Sequence, residues 1–208
     1  MQVSSIASVY AEGNFFHDNI RAKPDLDALG ALGDIGWYCI RAILWASNYN
    51  LPKTAAAFPN PVKNEAGVIL SCGASLHWED GTVATFHCSF LAHLTFEVMI
   101  VGSKGTLSLS DFVIPFEENS APFTSVSESG FKELVRGWTA LPSTKVVPTE
   151  LPQDARMVEE FSRLAGEIRD KGATPEKKWP VVSRKTQVVL DAVKESIDKE
   201  FKVVEIVE

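Results

Sequence analysis

Apolar and polar positions change rhythm along this chain, and the rhythm is the first guide to its elements. From Gly30 to Ala46, GALGDIGWYCIRAILWA, the pattern is helical and unbroken, the longest such run in the first half. Ile35, Cys39, Ala42 and Ala46 form an apolar stripe there, which Ile43 widens. Two further helices are expected near the end. Gln153 to Lys171 begins after Pro152, stops at Gly172 and sets Met157, Phe161, Leu164 and Ile168 on one face. Ser183 to Lys199 does the same with Val189, Leu190, Val193 and Ile197, with Ser183 as its cap.

Between these helices the period falls to two. Extended runs are expected over Lys53 to Phe58, Gly67 to Trp78 with a bulge near Gly73, Val83 to Leu91, His93 to Val101 and Thr106 to Phe112. Gln2 to Tyr10 opens the chain as a strand, Lys145 to Val147 adds an edge strand and Phe201 to Val207 closes it. Asp80-Gly81 and Ser103-Lys104-Gly105 mark tight turns, so the strands they join are antiparallel. Ala11 to Leu29 reads as a polar loop. Ile114 to Pro148 mixes Pro, Ser, Glu and aromatic residues, with a short helix expected over Phe131 to Trp138.

These elements predict one α+β domain over residues 1–208, an open, mainly antiparallel β-sheet of about five to seven strands with the helices on one face. The alternation assigns the faces. Ala84, Phe86, Cys88 and Phe90 point to the core, and Val83, Thr85, His87 and Ser89 point away. In the next strand Leu94, Phe96, Val98 and Ile100 oppose His93, Thr95, Glu97, Met99 and Val101. Three helices cover one face only. An uncovered face holding Val83, Met99 and Val101 has the character of an interface, so a homodimer, or pairing with a longer relative, is expected through it.

Charge and composition narrow the partners. An apolar content of 45% allows a sizeable core, and a net charge of −7 argues against nucleic acid or an anionic membrane surface. No apolar run reaches membrane-spanning length, and MQVSSIASVY lacks the features of a secretory signal. Three cysteines without a CxxC pair point to free thiols in a reducing, cytoplasmic setting. Cys39, Cys72 and Cys88 all fall at core positions, and His17 reads as an exposed loop residue.

Asp34 and Tyr38 are the first candidates for chemistry. Four residues is about one helical turn, so the carboxylate and the phenol share a face. They read either as an acid–base pair or as a helix-capping carboxylate beside an amphipathic core tyrosine. The glycine series Gly30, Gly33 and Gly36 is not a dinucleotide fingerprint, because a polar loop rather than a strand precedes it, the spacing is wrong and no such strand–turn–helix unit follows. Gly102-Ser103-Lys104-Gly105-Thr106 lacks the Gly-Lys-Ser/Thr ending of a phosphate loop.

The stretch NIRAKPDLDALGALGDIGWYCIRAIL resembles the start of the C-terminal domain in the Gfo/Idh/MocA family of NAD(P)-dependent oxidoreductases, in the wording of its plant branch. The family's Asp-x-Gly-x-(His/Tyr) motif reads here as Asp34, Gly36 and Tyr38. The Gly-Val start at Gly67, the Asp-Gly turn, the Gly-x-x-Gly-Thr-Leu hairpin from Gly102 and the two closing helices are similar in order. The resemblance implies the dihydrodipicolinate-reductase-like sheet, Tyr38 as proton donor or acceptor, Asp34 as its orienting partner and Arg21 as a substrate-binding residue. From the residues alone, Arg21 reads equally as a solvated surface arginine.

The resemblance covers nearly all of the chain but only half of the family's enzyme. The family's Rossmann domain, with its Gly-rich turn and Glu-Lys-Pro motif, is not found in these residues. NAD or NADP is implied for the full-length enzyme, and this chain alone is expected to bind neither and to transfer no hydride. No metal site is read. Two functions follow: the substrate-binding and oligomerisation domain of an oxidoreductase acting on a sugar, polyol or diol hydroxyl, or a non-catalytic family member serving as an interaction or dimerisation module.

Overall fold

In the computed structural model, described for residues 1–132 and 137–207, one open sheet runs through the molecule. Its strands are β1 (Gln2–Ser8), β2 (Thr54–Ala57), β3 (Val62–Lys63), β4 (Ile69–His77), β5 (Val83–Ser89), β6 (Thr95–Val101), β7 (Gly105–Leu109), β8 (Ser120–Ser127), β9 (Ser143–Pro148) and β10 (Val204–Glu205). The helices are α1 (Phe15–Asp18), α2 (Ile35–Ala46), α3 (Gln153–Lys171) and α4 (Lys178–Asp198). The spatial order is β10-β2-β4-β5-β1-β6-β7-β8-β9, with β3 paired to β4 outside that path.

Every pairing is antiparallel except β1 with β5. β1 lies between β5 and β6, so those consecutive strands keep opposite directions without being neighbours. The sheet has ten strands among the described residues, more than the five to seven expected. The strands outside the expected runs are the two-residue β3, and β8, whose Ser, Thr and Pro residues carry no strong alternation, while β10 falls within the expected closing run Phe201 to Val207. The expected helix over Phe131 to Trp138 falls largely on 133–136, outside the described residues; Phe131 and Trp138 themselves form an antiparallel bridge.

No bulge occurs at Gly73, because the β4–β5 register runs continuously from Ser71 opposite Ser89 to His77 opposite Val83. The irregularity lies instead between β3 and β4, at Val62 and Lys63. Gly73 answers a close approach. A Cβ there would stand 2.7 Å from the Phe86 carbonyl oxygen and 2.9 Å from the Phe58 ring.

The core forms between one sheet face and two helices. Ile35, Cys39, Ile40, Ile43 and Leu44 of α2 and Val189, Leu190, Val193 and Ile197 of α4 are buried over Val3, Ala7, Ala55, Ala74, Leu76, Phe86, Cys88 and Val98. The buried stripe of α2 is therefore rotated from the expected one. Ile40 and Leu44 join it, while Ala42 and Ala46 are only half-buried, because the larger side chains gain more from leaving water. That rotation turns Tyr38, Ala42 and Trp45 outward.

Two expectations for the closing helices need correction. α4 begins at Lys178 rather than Ser183, with Pro180 in its first turn where a missing N–H costs nothing. α3 has no buried residue, and Met157, Phe161 and Ile168 of its apolar stripe are exposed. It is tied to the rest through its first turn, where Gln153 Nε2 donates to the Val113 carbonyl (3.1 Å) and Arg156 Nε to Thr149 Oγ1 (2.6 Å). No helix among the described residues is long and apolar enough to cross a membrane.

Candidate active site

The site is built at the head of α2. Asp34 immediately precedes the helix, yet its side chain makes no capping hydrogen bond. Its carboxylate oxygen Oδ2 lies 2.8 Å from Arg21 Nε. The capping reading of Asp34 is thus replaced by an ion pair, and two of the three candidate residues, 13 positions apart by number, meet directly.

Local geometry explains how the polar loop delivers Arg21. Ile20–Ala22 forms a 3-10 turn capped by Asn19, whose Oδ1 accepts from the Arg21 backbone N–H at 3.0 Å. Ala22 is buried, and its carbonyl accepts from Asn64 Nδ2 at 2.8 Å, which anchors the far end of the turn. The hydrogen bond and charge of Asp34 raise the Arg21 guanidinium above its ordinary value, with the nearby Asp27 and Tyr38 adding smaller contributions in the same direction. Asp34, Arg21 and Tyr38 therefore share one electrostatic neighbourhood.

Tyr38, one turn further along α2, is 43% exposed and lines a cleft of about 390 Å³. Arg41, Ala42, Trp45 and Tyr49 form the same wall, and Val98, Leu109, Phe112, Val113 and Gln153 form the other. The volume falls within the ~300–1,000 Å³ range of small-molecule sites, and aromatic walls with a few polar groups suit a compact oxygenated ligand. Arg41, Trp45 and Phe112 were missed from sequence. Arg41 and Trp45 continue the spacing of Asp34 and Tyr38 along one helical face, which is the signal that reaches them; Phe112 arrives from beyond β7 and leaves no such trace.

The space beside the glycines that lead into and open α2 is filled by protein. A Cβ on Gly30 would stand 2.2 Å from the Ile69 carbonyl oxygen, one on Gly33 2.7 Å from the Leu29 Cβ, and one on Gly36 3.1 Å from the Cys88 sulfur. They serve close packing of the loop and helix on the sheet, and they do not fit a dinucleotide pyrophosphate, which needs open backbone N–H groups. His17 is exposed and pairs with Asp18 at 2.6 Å, apart from the site. Cys39, Cys72 and Cys88 are free and buried, with the Cys72 and Cys88 sulfurs 3.5 Å apart across β4 and β5. Among the described residues, no group of three His, Cys, Asp or Glu side chains is arranged to hold a metal ion.

A mostly antiparallel open sheet, backed by helices and carrying Asp34 and Tyr38 one turn apart at a helix head, defines an α+β domain. The model of the GFO/IDH/MocA C-terminal domain matches residues 2–108, and the chain belongs to that family. Solved structures share the fold. A 3-ketoreductase from Actinomadura kijaniata, in complex with NADP and TDP-benzene, superposes with a TM-score of 0.70 at 18% identity, over 93% of this chain and 53% of the other. Levoglucosan dehydrogenase, in complex with NADH and levoglucosan, gives 0.70 at 13% identity, over 100% and 59%. Aldose-aldose oxidoreductase from Caulobacter crescentus, complexed with glycerol, gives 0.70 at 14% identity, over 99% and 55%. The chain spans somewhat more than half the length of each.

Proposed function

We propose that this chain is the substrate-binding and oligomerisation domain of an oxidoreductase that acts on a sugar, polyol or diol hydroxyl. The observation that carries this reading is the Arg21–Asp34 ion pair, set one helical turn below a tyrosine that opens onto an aromatic cleft. Tyr38 gives or takes the hydroxyl proton, and Asp34 orients the site from beneath it. Arg21 acts chiefly as a positioning residue, since its guanidinium is engaged by Asp34. NAD or NADP would accept or supply the hydride. The glycines here do not cradle a pyrophosphate, so the cofactor would be held by a separate dinucleotide-binding domain, and this chain alone would be inactive.

A second reading, a non-catalytic interaction module, draws on a different feature, the helix-free face of the sheet. One set of titrations separates the two. Trp45 lines the cleft, so its emission should report saturable binding of a sugar, a polyol or a cyclic diol, with Trp45→Phe removing the signal and Tyr38→Phe weakening the binding. NADPH added to the same protein should give no saturable change. Failure of all three ligand classes to bind would sink the substrate reading and leave the interaction module.

A further inference from the structure

The outward face of α2 carries a second cation that the proposed proton transfer does not use. Arg41 follows Asp34 by seven residues and Tyr38 by three, a spacing that stacks side chains along one side of a helix. Its contacts are neutral. Nη2 donates to Ser183 Oγ at 3.1 Å, and the guanidinium carbon lies 5.9 Å from the centre of the Trp37 ring. Nη1 is buried and has no hydrogen-bond partner among the described residues.

A guanidinium remains charged at any pH the fold tolerates and offers five N–H donors in a fixed fork. Arg21 already has its counter-charge in Asp34. Arg41 has no carboxylate within ion-pair distance among the described residues, although it stands at the wall of a cleft that Tyr38, Trp45, Val98, Leu109 and Phe112 also line. A buried charged donor without a partner is costly, and weakly polar walls strengthen its attraction for an anion. An oxyanion on a ligand in the cleft would supply the counter-charge that Arg41 lacks among the described residues.

The geometry points to Arg41 as the anion seat of this cleft, which makes the preferred ligand an acidic sugar or polyol bearing a carboxylate or a phosphate. This rests on the reading of the cleft as a substrate site. Residues three apart on a helix have Cβ atoms about 5–6 Å from each other. That separation lets one ligand present a hydroxyl to Tyr38 and an oxyanion to Arg41, with its apolar ring face toward Trp45.

Calorimetric titration of the full chain at low salt with glucose, glucuronate and glucose 6-phosphate tests this. At least one acidic sugar should bind about tenfold or more tighter than glucose, as expected for a charge-assisted contact; which one does so separates carboxylate from phosphate. Arg41→Gln should bring that sugar to the level of glucose. Arg41→Lys, which retains the charge without the fork, should keep a reduced preference and guards against a misfolded Gln variant. Equal binding of all three sugars, or a preference that survives Arg41→Gln, overturns the anion seat while the substrate reading stands. No binding by any of them overturns both.

Discussion

At the scale of single residues, the candidate site shows what spacing can and cannot convey. Asp34 and Tyr38 were legible because a helix repeats every 3.6 residues and places both on one face. The partner that decides how Asp34 behaves, Arg21, comes from a loop turn whose shape no periodicity encodes. The cysteines were legible as core, and their burial has a measurable consequence. Loss of water pushes the Cys39 thiol from 9.0 up to about 12, and the Cys72 hydrogen bond together with burial raises Cys88 in the same direction. In the unfolded chain these thiols ionise near 9.0, whereas in the fold they hold their protons. Below that pH the contribution to stability is complete. As pH rises from 9.0 toward about 12 the unfolded state binds fewer protons than the folded one, and stability falls. Urea midpoints measured against pH should therefore decline on the alkaline side, and Cys39→Ala should make that decline shallower. An identical slope in the variant would remove Cys39 as its source.

At the scale of elements, α3 and α4 make a controlled comparison. Both carry an apolar stripe at helical spacing, and sequence assigned both to the core. The stripe of α4 is buried, with Val189 and Val193 fully so, while Met157 and Phe161 of α3 stand open to solvent. Periodicity tells which face of a helix would be buried if a partner is present; it carries no information on whether one is. The same limit applies to the sheet. β1 was legible as a strand from its alternation, but its place between β5 and β6 is a contact between distant parts of the chain. β8 was not legible because its residues are all partly exposed and no strict alternation marks them. The contrast predicts opposite outcomes for similar truncations. Leu44→Ala, at a fully buried position of α2, should cost about 2–5 kcal/mol. Phe161→Ala, which removes a larger side chain from α3, should stay within about 0.5 kcal/mol. Chemical denaturation of the two variants beside the parent chain measures both, and a large loss in Phe161→Ala would show that α3 is packed in solution.

At the scale of the whole molecule, the sheet is a layer with one side dressed. α2 and α4 lie over one face, and the other presents Gln2, Ser4 and Ile6 from β1, Val83, Thr85 and His87 from β5, and Glu97, Met99 and Val101 from β6. The register aligns them in rows: Val83–Gln2–Val101, then Thr85–Ser4–Met99, then His87–Ile6–Glu97. Glu97 is the only carboxylate in these rows, and no lysine or arginine occurs in them. A solvated sheet face normally carries charges of both signs. Here Met99 and Ile6 are more than 40% exposed, and a shallow groove of about 320 Å³ runs between Val83, Met99 and Val101. Such a surface is depleted of charge in the way the centre of an interface is. We infer that two copies of the chain meet face to face here, an arrangement that would have to bury roughly 800 Å² on each partner to be stable. Light scattering on the purified chain should give twice the mass of one chain. Met99→Glu and Val83→Glu each place two carboxylates in a two-fold interface and should weaken it by about tenfold or more, because each buried carboxylate lacks a partner. Phe161→Glu on the exposed face of α3 should leave the pair unchanged, which separates a specific contact from general stickiness. A mass of one chain at high concentration, or a pair indifferent to both sheet substitutions, would assign this face to a partner other than a second copy.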